Sequence, residues 1–290
     1  MNRIIKVFDL LVFGNIFIGL CSVALVFSTF LLNGIDLKIT PSVILVFSST
    51  WFYYNFHHHS HHLDFSGYRK FINSIIARGF SAIDLLFLFL PAAMIVYSLT
   101  QLNFPIILSF AGISVFSILY SIPLVKWNGR RRKLRESLLL KLPFLALSWA
   151  AVTVLIPLLE QQHALDTGKI LGQAIARSFF IYGLCIPFEI RDVDNEKKWG
   201  TNTLPVVYGI RITKLTGILI LLVGILLRHL AKAPMMITPA VMVALDLSFF
   251  MTIFLIFKSK TNPSKYFCKV YVDGMMILQF VLVYLAIRLV

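Results

Sequence analysis

Apolar runs near the length of a bilayer crossing recur nine times along this 290-residue chain, at about 9–32, 40–56, 80–99, 104–124, 138–159, 169–188, 213–231, 235–257 and 267–289. The hydrocarbon core of a membrane, about 30 Å thick, is crossed by about 20 apolar residues in a helix. A spanning segment must satisfy every backbone N–H and C=O without water, which a helix does alone and a single strand does not. The runs therefore predict an all-α integral membrane protein with about nine transmembrane helices. Pro91, Pro143 and Pro157 fall inside runs, where membrane helices tolerate them. Only 14% of the residues are charged, against roughly 25% in soluble domains. The runs leave little chain for a soluble domain, so residues 1–290 read as a single polytopic transmembrane domain. The opening MNRIIKVFDLLVFG is basic and then apolar without a small-residue cleavage site, and reads as a retained first helix rather than a signal peptide.

A formal net charge of +14 would suggest nucleic acid in a soluble protein. In this composition it reads as topology and as attraction to anionic lipid head groups, with no nucleic-acid partner. If the runs are helices, 21 of the 27 Lys and Arg lie on one side of the membrane and five on the other, with Arg177 inside a run. The positive-inside rule then puts the N-terminus in the cytoplasm and the C-terminus outside. The connections after the second, fourth, sixth and eighth runs face the cytoplasm, and the expected location is the bacterial inner membrane. Cys21, Cys185 and Cys268 have spacings of neither a disulfide framework nor a zinc site.

The densest acidic cluster follows the sixth run, in Pro187–Gly209, PFEIRDVDNEKKWGTNTLPVVYG. If the helix continues through it, Glu189, Asp192 and Glu196 stand at i, i+3 and i+7 on one face. Three carboxylates on one stripe repel unless a positive group lies between them. A hard cation such as Mg²⁺ suits oxygen ligands of this kind, while a solvated, salt-bridged flank suits the spacing equally. The tail after Gly200 reads as a turn and a short extended piece.

Three further features carry possible chemistry. His57, His58, His59, His61 and His62 crowd the end of the second run. As i, i+4 pairs they suit a transition metal, when protonated they suit an anion, and otherwise they form an interfacial segment without a ligand. The fourth connection carries Lys126, Arg130, Arg131, Arg132, Lys133 and Arg135. That patch suits topology and lipid contact, with Lys126 and Arg130 near enough to the membrane surface to reach a phosphate. Asp84, Arg177, Asp246 and Asp273 lie within or beside runs, where charge is costly and needs a partner or a cavity. There is no Walker-type loop, dinucleotide fingerprint or nucleophile motif.

The stretch Glu189–Gly209 resembles the second aspartate-rich motif of the UbiA superfamily of intramembrane prenyltransferases, N-D-x-x-D-x-x-x-D followed by K-x-x-G-x-x-T-L-P-V-x-x-G. Lys197 or Lys198, Gly200, Thr203, Leu204, Pro205, Val206 and Gly209 match it. LYSIPLVKW, ending at Trp127, resembles the family's Tyr-x-x-Pro-Leu-Lys signature, with one extra residue before Lys126. The first acidic motif is where the chain departs. Asn55 fits its leading Asn, but its acidic places fall on Phe56, His59 and Leu63, and Asp64 lies one position late.

The resemblance implies a helical bundle around a lipid-tail cavity. It also implies transfer of an isoprenoid chain from a prenyl diphosphate to an aromatic or lipid acceptor held in the membrane. It places Glu189, Asp192 and Glu196 on Mg²⁺ as the catalytic acidic set. Asn55, His59, Lys126, Arg130, Lys197 and Lys198 would contact the diphosphate. Two other functions fit the residues. Loss of the first acidic motif fits a non-catalytic isoprenoid- or lipid-binding protein retaining the fold, and the intramembrane Asp246 and Asp273 fit a small-molecule transporter.

Overall fold

The computed structural model describes residues 3–60, 82–121, 125–127, 130–132, 140–161, 167–230 and 238–289. The described helices are α1 (Arg3–Phe13), α2 (Ile16–Leu32), α3 (Pro41–Ser60), α4 (Ala82–Gln101) and α5 (Phe104–Ser121), followed by α6 (Lys141–Glu160) and α7 (Thr167–Trp199). After them come the short α8 (Leu204–Val207), then α9 (Gly209–Leu230), α10 (Pro239–Lys258) and α11 (Phe267–Arg288). Two short strands, β1 (Val125–Trp127) and β2 (Arg130–Arg132), pair antiparallel with Lys126 opposite Arg131. The described residues are thus mostly helical, and helix takes up most of the described part of each of the nine apolar runs. Among the described residues six helices are long and apolar enough to cross a membrane, and the bent pair α1–α2 makes a seventh. Nine is therefore an approximate count. The polar end of α3, with Asn55 and His57–His59, dilutes its hydropathy, and only Phe104–Val115 of α5 qualifies, as a shorter apolar helix.

Contacts gather the chain into two units, Met1–Val23 with Ile39–Leu102, and Ala24–Lys38 with Asn103–Val290. In the first, the run read as one helix breaks at Gly14–Asn15, bending α1 from α2 by 67°. Asn15 takes φ 59°, a left-handed conformation that Asn tolerates better than most residues. The break leaves backbone groups without helical partners, and side chains of α3 meet them. Trp51 Nε1 donates to the Gly14 carbonyl at 2.9 Å and Asn55 Nδ2 to the same oxygen at 3.1 Å. The Trp51 ring meets Phe87 of α4 edge-on at 5.5 Å.

In the second unit, α7 packs between α6 and α9, and α10 packs on α11. Small residues set the closest approach, as is usual where helices meet in lipid. A Cβ on Gly217 would stand 2.6 Å from Ile186 Cγ1, and one on Gly224 2.7 Å from Phe179 Cβ. At 33 residues, α7 is about 50 Å long and exceeds the hydrocarbon thickness. Its charged last turns therefore need not lie in the apolar layer. The helix stops at Gly200, whose φ of 66° suits a residue without Cβ. Gly200 N donates to Lys197 O at 3.2 Å and Thr201 N to Glu196 O at 3.0 Å, the paired bonds of a Schellman end. The chain then turns back into α8, which begins after Thr203 with Pro205 in its first turn. A helical turn thus stands where the sequence suggested an extended piece.

Candidate functional site

The acidic stripe of α7 forms because the helix does run on past Pro187, keeping Glu189, Asp192 and Glu196 in register. Glu189 and Glu196 are buried, and Asp192 is half-buried. Two turns separate the glutamates, about 10.5 Å along the axis, yet both reach one cation. Lys141 Nζ, at the first residue of α6, lies 2.7 Å from Glu189 Oε1 and 2.6 Å from Glu196 Oε1. The second oxygen of Glu196 accepts from Thr203 Oγ1 at 2.5 Å. The Gly200 turn is what returns Thr203 to the face of α7 that carries Glu196.

Asp192 is engaged differently. Arg191 donates Nε to its Oδ1 at 2.7 Å and Nη2 to its Oδ2 at 2.8 Å, while the guanidinium lies 5.0 Å from the centre of the Phe188 ring. Among the described residues no three Asp, Glu, His or Cys side chains are gathered as a metal site. Two carboxylates against one ammonium leave the Lys141 cluster one formal negative charge. Asp273, buried near the start of α11's regular turns, lies within electrostatic reach of Arg191 and Lys269. Cys268 Sγ, one of three free thiols among the described residues, approaches the Pro187 carbonyl at 3.9 Å.

The remaining sequence candidates lie on other turns or segments of the chain. Lys197 and Lys198 are exposed in the last turn of α7. Asn55 is buried in the first unit, where Nδ2 donates to Gly14 O and Trp51 O and Oδ1 accepts from Asn15 Nδ2 at 3.2 Å. His59 lies in the last turn of α3 and Lys126 and Arg130 lie in the hairpin. Their side chains are outside the described residues, as are His61, His62 and Asp64 altogether. Asp246 pairs with Arg228, and its other oxygen lies 2.9 Å from His229 Nε2. Lys141 and Thr203 had no place in the sequence-derived set. Lys141 lies near the start of the fifth apolar run, and Thr203 was only a motif letter.

No protein-family model matches the chain, and no curated protein does. Two solved structures share its fold. One is a UbiA homolog from Archaeoglobus fulgidus bound to GPP and Mg²⁺, with TM-score 0.64 and 14% identity over 97% of this chain and 99% of that one. The other is a UbiA homolog from the same organism bound to DMAPP and Mg²⁺, with TM-score 0.61, 12% identity and the same coverage. The likeness extends over nearly the whole of each chain, so this chain has the UbiA-type fold.

Proposed function

We propose that this chain is a member of the UbiA superfamily that binds a prenyl diphosphate and moves its isoprenoid chain to an acceptor held in the membrane. One observation carries the reading. Buried Glu189 and Glu196 converge at the polar end of α7, in a fold shared with homologs bound to GPP or DMAPP and Mg²⁺. The motif-bearing end of α7 faces the cytoplasm in this reading. The acceptor is an aromatic or lipid molecule.

The residues fit a hard cation in donor type and in charge. Oxygen ligands stand on one stripe, and one negative charge remains after Lys141 is counted. Glu189, Asp192 and Glu196 would hold Mg²⁺, which when bound supplies neutralising charge to the leaving diphosphate. The chain's own part is to present and orient that charge. Thr203 fixes one oxygen of Glu196, and Lys141 sets the distance between the glutamates and exchanges carboxylate contacts for phosphate ones. Lys197 and Lys198 offer further positive charge at the same end, and the resemblance assigns Lys126, Arg130 and His59 to the diphosphate as well.

A non-catalytic lipid-binding protein is the second reading. Two observations favour it. Lys141 already pairs with both glutamates, and Asn55 spends its amide on Gly14, Trp51 and Asn15. Transport has less support, because Asp246 is accounted for by Arg228 and His229.

Diphosphate release by the purified protein in nanodiscs separates the readings. Geranylgeranyl and longer diphosphates are supplied with membrane-lipid extract as acceptor, with and without Mg²⁺. Mg²⁺-dependent release that Asp192→Asn abolishes supports transfer, and undiminished release by that variant overturns the acidic assignment. Bound but unreleased prenyl diphosphate establishes the lipid-binding protein instead.

A further inference from the structure

A second polar site lies far from the acidic one. From Arg177 to Glu196 is 19 residues along α7, about 28 Å. Around Arg177 the second unit encloses a cavity of about 220 Å³, lined by α2, α7, α9, α10 and α11. Most of its wall is apolar, including Phe179, Phe180 and Phe249. Four polar side chains break that wall: Gln173 and Arg177, one turn apart on α7, Arg228 of α9, and Gln279 of α11, whose Nε2 donates to Ser248 Oγ at 3.0 Å. The first three are 7%, 4% and 8% exposed.

Gln173, Arg177 and Arg228 each hold a buried donor with no acceptor, namely Gln173 Nε2, Arg177 Nη1 and Arg228 Nε. Unmet buried donors are expensive, most of all on a charged group, and three around one cavity define a place for acceptor oxygens. The rest of each side chain is held firmly. Asn33 Nδ2 donates to Gln173 Oε1 at 2.9 Å, Thr29 Oγ1 donates to the Thr153 carbonyl at 2.9 Å, and Arg177 Nη2 lies 3.5 Å from Thr29 Oγ1. Arg228 stacks over Phe249 at 4.7 Å.

Charge narrows the ligand. Arg228 is balanced by Asp246, whereas no carboxylate among the described residues pairs with Arg177. One uncompensated guanidinium calls for one negative charge, which a planar carboxylate meets through the bidentate geometry that Arg favours. A dianionic phosphate would leave an excess. The cavity is smaller than the roughly 300–1,000 Å³ of common small-molecule sites, so it takes a head group and the first part of a chain. Ile175 and Leu227, on its lining, are 47% and 42% exposed, and in a membrane such faces meet acyl chains. A tail has its way out between α7 and α9.

We propose that this cavity binds the carboxylate of a single-chain membrane amphiphile, with Arg177, Gln173 and Arg228 around the head and the chain leaving past Ile175 and Leu227. The probe is a long-chain fatty acid carrying a photoreactive diazirine, with the matching alcohol as its uncharged twin, on wild-type protein in phosphatidylcholine nanodiscs. The acid should label peptides of α7 or α9 about tenfold more than the alcohol. Palmitate should displace it, whereas acetate, inorganic phosphate and a long-chain alkyl phosphate should not at equal concentration. Arg177→Gln and Gln173→Leu should each cut labelling by about tenfold. Equal labelling by acid and alcohol, or labelling elsewhere only, overturns the proposal without any variant having to fold. Displacement by either phosphate compound ahead of palmitate overturns the carboxylate assignment, and displacement by acetate overturns the role of the chain.

Discussion

Lys141 and Glu196 are 55 positions apart in sequence and 2.6 Å apart in space. The contact brings an ammonium from the start of α6 to the acidic face of α7, where Glu189 shares it. A half-buried lysine between two buried carboxylates is both a structural tie and a competitor for any cation that site binds.

Replacing Lys141 with Met should therefore act in two directions. Without the ammonium the buried glutamates repel, at a cost on the order of 3 kcal/mol, and adding Glu189→Gln should recover part of it. Thermal unfolding in detergent reads both effects. The single variant should also gain a larger Mg²⁺-induced rise in melting temperature than the wild type. No such gain would detach Lys141 from the metal question.

Thr203→Val keeps the shape of the side chain and removes the donor to Glu196. It should destabilise by about 1–3 kcal/mol, because a buried carboxylate oxygen loses its partner. Thr203→Ser should retain most of the wild-type stability. In a prenyl diphosphate binding measurement, the Val variant should weaken affinity more than the Ser variant.

Two glycines should fail for different reasons. At Gly200 an added Cβ meets nothing within 4 Å, so Gly200→Ala should cost only the left-handed backbone, about 1 kcal/mol, and Gly200→Asn less. At Gly224 the Cβ meets Phe179 at 2.7 Å and Phe249 at 3.1 Å. Gly224→Ala should separate α7 from α9 at about 1–3 kcal/mol, measured by thermal unfolding.

In the first unit, Asn55→Leu should destabilise by about 1–3 kcal/mol, since it removes the donor to the Gly14 and Trp51 carbonyls. If diphosphate affinity measured well below the unfolding temperature is unchanged in this variant, Asn55 is a brace of the α1–α2 break. A fall in affinity at full foldedness would restore it to the diphosphate site.

Helix positions were legible because a bilayer imposes a local rule: each backbone group in hydrocarbon must be met within its own segment, so hydropathy alone marks the segment. The described part of each of the nine runs is mostly helix for that reason. The break at Gly14–Asn15 was hidden because hydropathy does not register a turn inside an apolar run. Its polar remedies, Trp51 and Asn55, come from another helix. The first turn of α8 had a usable signal in Thr203-Leu204-Pro205, a cap followed by an early proline, which reading the stretch as extended passed over.

The sequence by itself determined the membrane class, the helical segments and the acidic stripe at i, i+3 and i+7, since these follow from periodicity along one helix. Only the tertiary structure decided what those acids touch. Lys141 reaches Glu189 and Glu196 because α6 packs on α7, Thr203 reaches Glu196 because the chain reverses at Gly200, and Asp192 turns instead to its neighbour Arg191. Arg177 was conspicuous as a charge in an apolar run, but the donors it shares a cavity with come from Gln173 and, 51 residues on, Arg228. Side-chain chemistry is written in the sequence, while the pairing of charges across helices depends on packing that no local pattern encodes.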